Sequence, residues 1–172
     1  VLEILQQRMP ETPSDGMRTQ EDAAPEQMEL PDYVLNPDME MPIQEIEGND
    51  YIGLLEIPSL GLSLPVMSEW SYPRLKIAPC LYHGSAYTGS LTIAAHNYRT
   101  HFGMVRGAPA GTQVFFTDVK GRRFSYEVST VETIEATAIE EAVSEAWNLT
   151  LITCTPGGQA RVAVRCIKIF YY

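Results

Sequence analysis

From Tyr51 onward the chain is broken into apolar segments of five to eleven residues, separated by stretches in which Gly, Pro, Asn and Asp recur. This texture constrains the fold most, because segments so short and so apolar read as strands, and strands must find partners. They are Ile52–Ile57, Leu60–Val66, Leu91–Ala95, Thr112–Asp118, Arg123–Thr133, Leu149–Thr153 and Arg161–Ile169. Pro58-Ser59 parts the first two, and Lys120-Gly121-Arg122 reads as a hairpin turn. Helix is scarce: Trp70–Ala78 is a short helix or turn, and Ala136–Ala146, with Glu140, Glu141 and Glu145, is a short helix on a connection. Many short strands, no repeats and little helix predict an all-β dominated fold, a closed or nearly closed barrel.

The first fifty residues are different material. They carry 13 acidic and 2 basic side chains and six of the twelve prolines, against 9 acidic and 10 basic afterwards. The formal net charge of −10 therefore belongs to this segment, and the body is nearly neutral. The chain divides into an acidic, Pro-rich N-terminal extension (1–50) and a β body (51–172). Within the extension, Val1–Gln7 suits the end of a helix and Pro10–Glu29 a flexible tether. Residues 30–42 mix the apolar anchors Tyr33, Val34, Leu35, Met39 and Met41 with prolines, as a segment laid extended across the body would. Gly48-Asn49-Asp50 is a turn before the first strand of the body.

A hydrophobic content of 45% is enough for a sizeable core. A near-neutral body lacks the basic face that nucleic-acid binding needs. No apolar run approaches the roughly 18 residues of a membrane span, and no phosphate loop or dinucleotide fingerprint is present. The chain starts at Val1 with no signal before it, so it reads as a soluble fragment of a longer precursor.

Three groups suggest chemistry. Cys154 closes the run Thr150-Leu151-Ile152-Thr153, Arg161 follows seven residues later, and His96 stands at the exit of Leu91–Ala95. A thiol is a strong nucleophile only as thiolate, and a neighbouring imidazole and guanidinium favour that form. His83, beside Gly84-Ser85 in a loop, and His101, in the polar run after Asn97, compete for the role of base. His96 alone leaves a buried strand, where a ring can be held rigidly. Arg161 and Arg165 share one face of a strand, roughly 13 Å apart, so one guanidinium at most reaches the thiol. Arg165 then makes a salt bridge or covers apolar surface. Zinc would want paired ligands at short spacing, which are absent, so no metal and no cofactor is expected. Cys80 and Cys166 are either a bridge or, more commonly for such residues, small buried hydrophobes.

Thr150-Leu151-x-Thr153-Cys154 with Arg161 downstream and His96 upstream resembles the signature of sortases, the cysteine transpeptidases of Gram-positive surfaces. Tyr51–Leu62 is similar to the family's opening strands, so the resemblance covers residues 51–169. It implies an eight-stranded β-barrel in which Cys154, His96 and Arg161 are catalytic, and the neighbours Ala95, Asn97 and Thr153 are read as contacting substrate. The substrate would be a surface-protein sorting signal of the LPxTG type. The amine would come from a peptidoglycan cross-bridge or a pilin lysine. The enzyme would be a monomer at the extracellular face of the membrane, held by an anchor absent from this chain. Many sortases carry Gly where Ala95 stands, and the extra methyl should narrow that wall slightly. Some pilus-building members cover the groove with a lid built on an Asp-Pro-aromatic triplet. Here Asp32-Tyr33 and Asn36-Pro37 are only similar, so residues 30–42 are a lid or a plain stalk. A non-catalytic peptide-binding barrel and a cysteine endopeptidase resolved by water are the competing readings.

Overall fold

A computed structural model describes residues 1–8, 30–98, 101–137, 143–155 and 159–170, without the side chain of Cys154. Its strands are β1 (Gln44–Ile46), β2 (Asn49–Ile57), β3 (Leu62–Met67), β4 (Cys80–Ser85), β5 (Ser90–Ala94), β6 (Gln113–Asp118), β7 (Arg123–Glu135), β8 (Leu149–Cys154) and β9 (Ala160–Lys168). The short helices α1 (Leu2–Arg8), α2 (Asp32–Leu35) and α3 (Tyr72–Leu75) accompany them. The predicted tether Pro10–Glu29 lies outside the described residues, as do residues 138–142 of the predicted helix, whose flanks form turns and bends.

The strands run in the order β2-β3-β4-β5-β8-β9-β7-β6, and β6 pairs back onto β2, so eight strands close into a barrel. β1 adds a ninth strand beside β2. Closure between β2 and β6 depends on Gly53, where a Cβ would overlap the Thr117 carbonyl oxygen. Glu47 and Gly48, with φ of 52° and 80°, make the two-residue turn that joins β1 to β2. The turn expected at Gly48-Asn49-Asp50 therefore begins one residue earlier, and Asn49 and Asp50 already belong to β2. β4 also went unread, because His83-Gly84-Ser85 breaks its apolar pattern, and His83 lies on that strand rather than in a loop.

Side-chain alternation divides the barrel into an interior and an outer face. Ile52, Leu55, Ile57, Leu91, Ile93, Val114, Phe116, Tyr126, Leu149, Leu151, Val162 and Val164 fill the interior. On the outer face Ile134, Ile152 and Ala163 form a small buried cluster against Tyr82. Another holds Leu5 of α1 with Tyr51, Leu54, Met67 and Cys80. Cys80 and Cys166 are free thiols buried in different clusters, so no bridge joins them.

Residues 30–42 pack where β5 and β7 begin. Tyr33 stacks on Tyr87 at 4.8 Å and meets the edge of Phe124 at 5.5 Å, while Met39 and Met41 join the interior core. The Arg122 guanidinium lies over both tyrosine rings and pairs with Asp32. Beneath it Asp118, fully buried, accepts from Tyr87 Oη, Arg122 Nε and the amides of Lys120 and Arg122.

Candidate active site

At the opposite end of the barrel, backbone pairing gathers the chemistry. β5 and β8 run parallel with Ala94 beside Ile152, and Ala95 N donates to the Ile152 carbonyl at 3.0 Å. This extends the ladder one residue and sets His96 beside the end of β8. β8 and β9 are antiparallel, and their register puts Cys154 directly opposite Arg161. β9 pairs in turn with β7, placing Ile134 across from Arg161. Thr92, Ala94 and His96 alternate with the interior residues Leu91, Ile93 and Ala95, so His96 takes the outer face. Arg161, the backbone partner of Cys154, alternates with the interior residue Val162 and lies on that face too.

A groove of about 250 Å³ crosses the outer face here. Ala94, Ala95 and Ile152 floor it, Thr153, His96 and Arg161 line its centre, Ile134 and Glu135 close one end, and Trp70, Tyr72, Leu75 and Tyr82 the other. The described structure thus brings His96, Arg161, Thr153 and Ala95 into one groove, and the backbone of Cys154 follows Thr153 and pairs with Arg161. Ala95 also belongs to the interior core. Asn97 is outside the described lining; its Nδ2 donates to the Thr155 carbonyl at 3.5 Å, tying the His96 segment to the chain after Cys154. Thr155 Oγ1 accepts from Ala160 N at 3.1 Å, which holds the two ends of the Cys154–Arg161 loop together. Residues 156–158 of that loop lie outside the described residues.

His96 stacks on Tyr98 at 4.7 Å, and its Nε2 is buried without a hydrogen-bond partner among the described residues. The ring is therefore positioned by packing against Tyr98. His101 lies beyond Tyr98, and burial, followed by its proximity to His96, holds its pKa below the ordinary value. It is kept neutral and is absent from the groove lining. Arg161 Nη1 donates to the Ala160 carbonyl at 3.3 Å. Arg165 has a different occupation: it is buried, paired with Glu132 at 3.0 Å and bonded to Thr150 Oγ1 at 3.1 Å. No group of three or more potential metal ligands occurs among the described residues. Nor is any described helix long and apolar enough to cross a membrane.

The residues that sequence reasoning missed are the aromatics. Trp70 precedes α3 and Tyr72 opens it, Ser71 capping the helix by accepting from Arg74 N at 3.1 Å, and Tyr82 sits on the unread strand β4. The usable signal was two large rings in a polar, turn-like stretch that gives them no core of their own.

A sequence model of the Sortase domain matches residues 55–168. Among curated proteins nothing matches. Among solved structures, sortase C1 of the GBS pilus island 1 superposes with a TM-score of 0.62 at 20% identity, covering 71% of this chain and 66% of that one, just under two thirds of its length. Sortase C1 from Streptococcus suis gives 0.61 at 27% identity, with 71% and 74% covered. Sortase C from Clostridium perfringens SM101 gives 0.61 at 22% identity, with 80% and 82% covered.

Proposed function

The chain belongs to the sortase family, and on that premise we propose that it is a cysteine transpeptidase acting on surface-protein sorting signals. The observation that carries this reading is the register of three strand ends: Cys154 opposite Arg161 on β8 and β9, with His96 on the exit of β5 beside them. A sulfur, a guanidinium and an imidazole at one groove can serve one carbonyl.

The Cys154 thiolate attacks the threonine carbonyl of an LPxTG-type segment lying along the groove. Negative charge develops on the carbonyl oxygen, and Arg161 donates to it more strongly as it grows. The C–N bond breaks as His96, an imidazolium at that moment, hands its proton to the departing amine. The product is a thioester on Cys154 and a neutral His96. An incoming amine attacks that thioester, His96 accepts a proton from its nitrogen, and the S–C bond breaks to restore the thiolate. Arg165, engaged by Glu132 and Thr150, takes no part. The amine is a peptidoglycan cross-bridge or a pilin lysine. The second is favoured by the similarity to a sortase C1 of a pilus island. On this reading the reaction takes place at the cell surface and uses no cofactor.

A panel of fluorogenic LPxTG-type pentapeptides, each assayed with and without added amine, tests the reading. Native protein should cleave at least one and join it to the amine, while Cys154→Ala should do neither. Turnover retained by Cys154→Ala would end the assignment. Cleavage that never yields an amine adduct would make the protein an endopeptidase.

A further inference from the structure

The groove is asymmetric about the end of β8, and its two halves meet different parts of the reaction. Arg161 and Ile134 lie on the β7–β9 side, where the carbonyl oxygen is stabilised. His96 lies on the β4–β5 side, and both the nitrogen that leaves and the nitrogen that arrives must come to His96 to exchange protons. Amine traffic therefore passes over the half walled by Tyr82, Trp70 and Tyr72.

These three rings form a graded wall. Tyr82 is rooted in the outer cluster with Ile134 and Ile152. Trp70 leans on it with centroids 5.4 Å apart, and Tyr72 meets Trp70 edge to face at 5.6 Å and 87°. Burial fails to account for the outer two, since Trp70 is 40% and Tyr72 74% exposed. Exposed ring faces carry negative potential that attracts an ammonium, and their flat surfaces pack a methylene stem. Water would exploit neither feature, and a short glycine-type amine, an ammonium without a stem to pack, only the first.

Resting on the transpeptidase reading above, we infer that Trp70, Tyr72 and Tyr82 receive the incoming nucleophile and select a primary ammonium on an aliphatic stem, the chemistry of a lysine side chain. The docked ammonium gives one proton to solvent. The neutral amine then attacks the thioester carbon, its second proton passes to His96, and the sulfur leaves as thiolate. The rings act before attack, by raising the share of thioesters that meet the amine rather than water.

The experiment measures the ratio of amine adduct to hydrolysed product, which does not depend on how fast the thioester forms. The full chain is given its best pentapeptide with Nα-acetyl-lysine amide or glycinamide as the amine. Trp70→Leu and Tyr72→Leu should each lower the lysine adduct ratio about 10-fold, the scale of losing a cation–π face together with the stem packed on it, and the ratio for glycinamide, which has no stem to hold it on the face, less than about 3-fold. Trp70→Phe, which keeps a face, should stay within about 3-fold of native. Nα-acetyl-Nε-trimethyl-lysine amide, a cation unable to attack, should inhibit adduct formation in native protein but not in Trp70→Leu. Its norleucine counterpart, with no charge, should inhibit neither. Equal losses with both amines, or inhibition by norleucine as strong as by trimethyl-lysine, would overturn the inference. Thioester detected on Cys154 by mass spectrometry, with no ring-dependent lysine adduct, would overturn it while leaving the cleavage reading intact. No thioester with any peptide would take down both.

Discussion

Replacing Asp118 by Ala should unfold the end of the barrel remote from the groove. Its carboxylate is fully buried and accepts four hydrogen bonds: from Tyr87 Oη, from the amides of Lys120 and Arg122 at 2.9 Å, and from Arg122 Nε at 2.8 Å. Removal strands these donors. The two amides at about 1 kcal/mol each and the buried tyrosine hydroxyl at about 1–2 kcal/mol give about 3–4 kcal/mol. The guanidinium adds less than a fully buried charge would, because Arg122 is 21% exposed and still meets Asp32. The total, about 4 kcal/mol, falls within the roughly 3–5 kcal/mol of a broken buried ion pair. With a urea m-value of about 2 kcal/mol/M, the midpoint should fall by about 2 M. Asp118→Asn keeps the shape and one acceptor and should lose about half as much. Asp32→Ala removes only a largely exposed partner and should cost no more than about 1 kcal/mol. The assay is equilibrium urea unfolding followed by far-UV circular dichroism. A loss below about 1 kcal/mol for Asp118→Ala would refute the claim that this carboxylate organises the β6–β7 turn and the segment docked on it.

Three further outcomes follow from the geometry. Arg161→Ala should lower kcat/KM for peptide cleavage about 10²–10³-fold, and Arg161→Lys should recover only part of it because the planar fork is lost, as steady-state kinetics would read. Gly53→Ala should destabilise the barrel by about 3 kcal/mol in the same urea assay, since its Cβ meets the Thr117 carbonyl at the closing seam. Burial raises the Cys80 thiol to about 11 and the Cys166 thiol to about 12, so at pH 8 about one Cys80 in a thousand is thiolate. Peptide mapping after iodoacetamide at pH 8 should find both unlabelled until urea unfolds the protein. Because their folded-state values are raised, the neutral thiols stabilise the fold below the unfolded thiol pKa, and that stability is lost as pH rises through the folded values.

Strand texture was legible because alternation and turn residues are local. Ile52–Ile57, Thr112–Asp118 and Arg161–Ile169 all reappear within a few residues of their strands. β4 was not, since Gly84 at φ 80° and a polar exit mask a strand held by its neighbour β5. Arg161 and Arg165 looked equivalent in the chain. Pairing separates them, setting Arg161 against Cys154 in the groove and Arg165 against Thr150, where Glu132 reaches it. The contacts of residues 30–42 were equally illegible, because nothing local to Tyr33 names Tyr87, Phe124 or Arg122 as its partners.

What the chain's order of residues determined unaided is the material: short strands fit for a barrel, an acidic prelude, and a thiol, an imidazole and a guanidinium at strand ends. Folding decided their company. Parallel pairing of β5 with β8 and the β8–β9 register join residues far apart in sequence, and three rings gather beside His96 only because β4 lies next to β5. Such contacts are long-range: each depends on closure of the whole sheet, whereas hydrophobic alternation is written residue by residue.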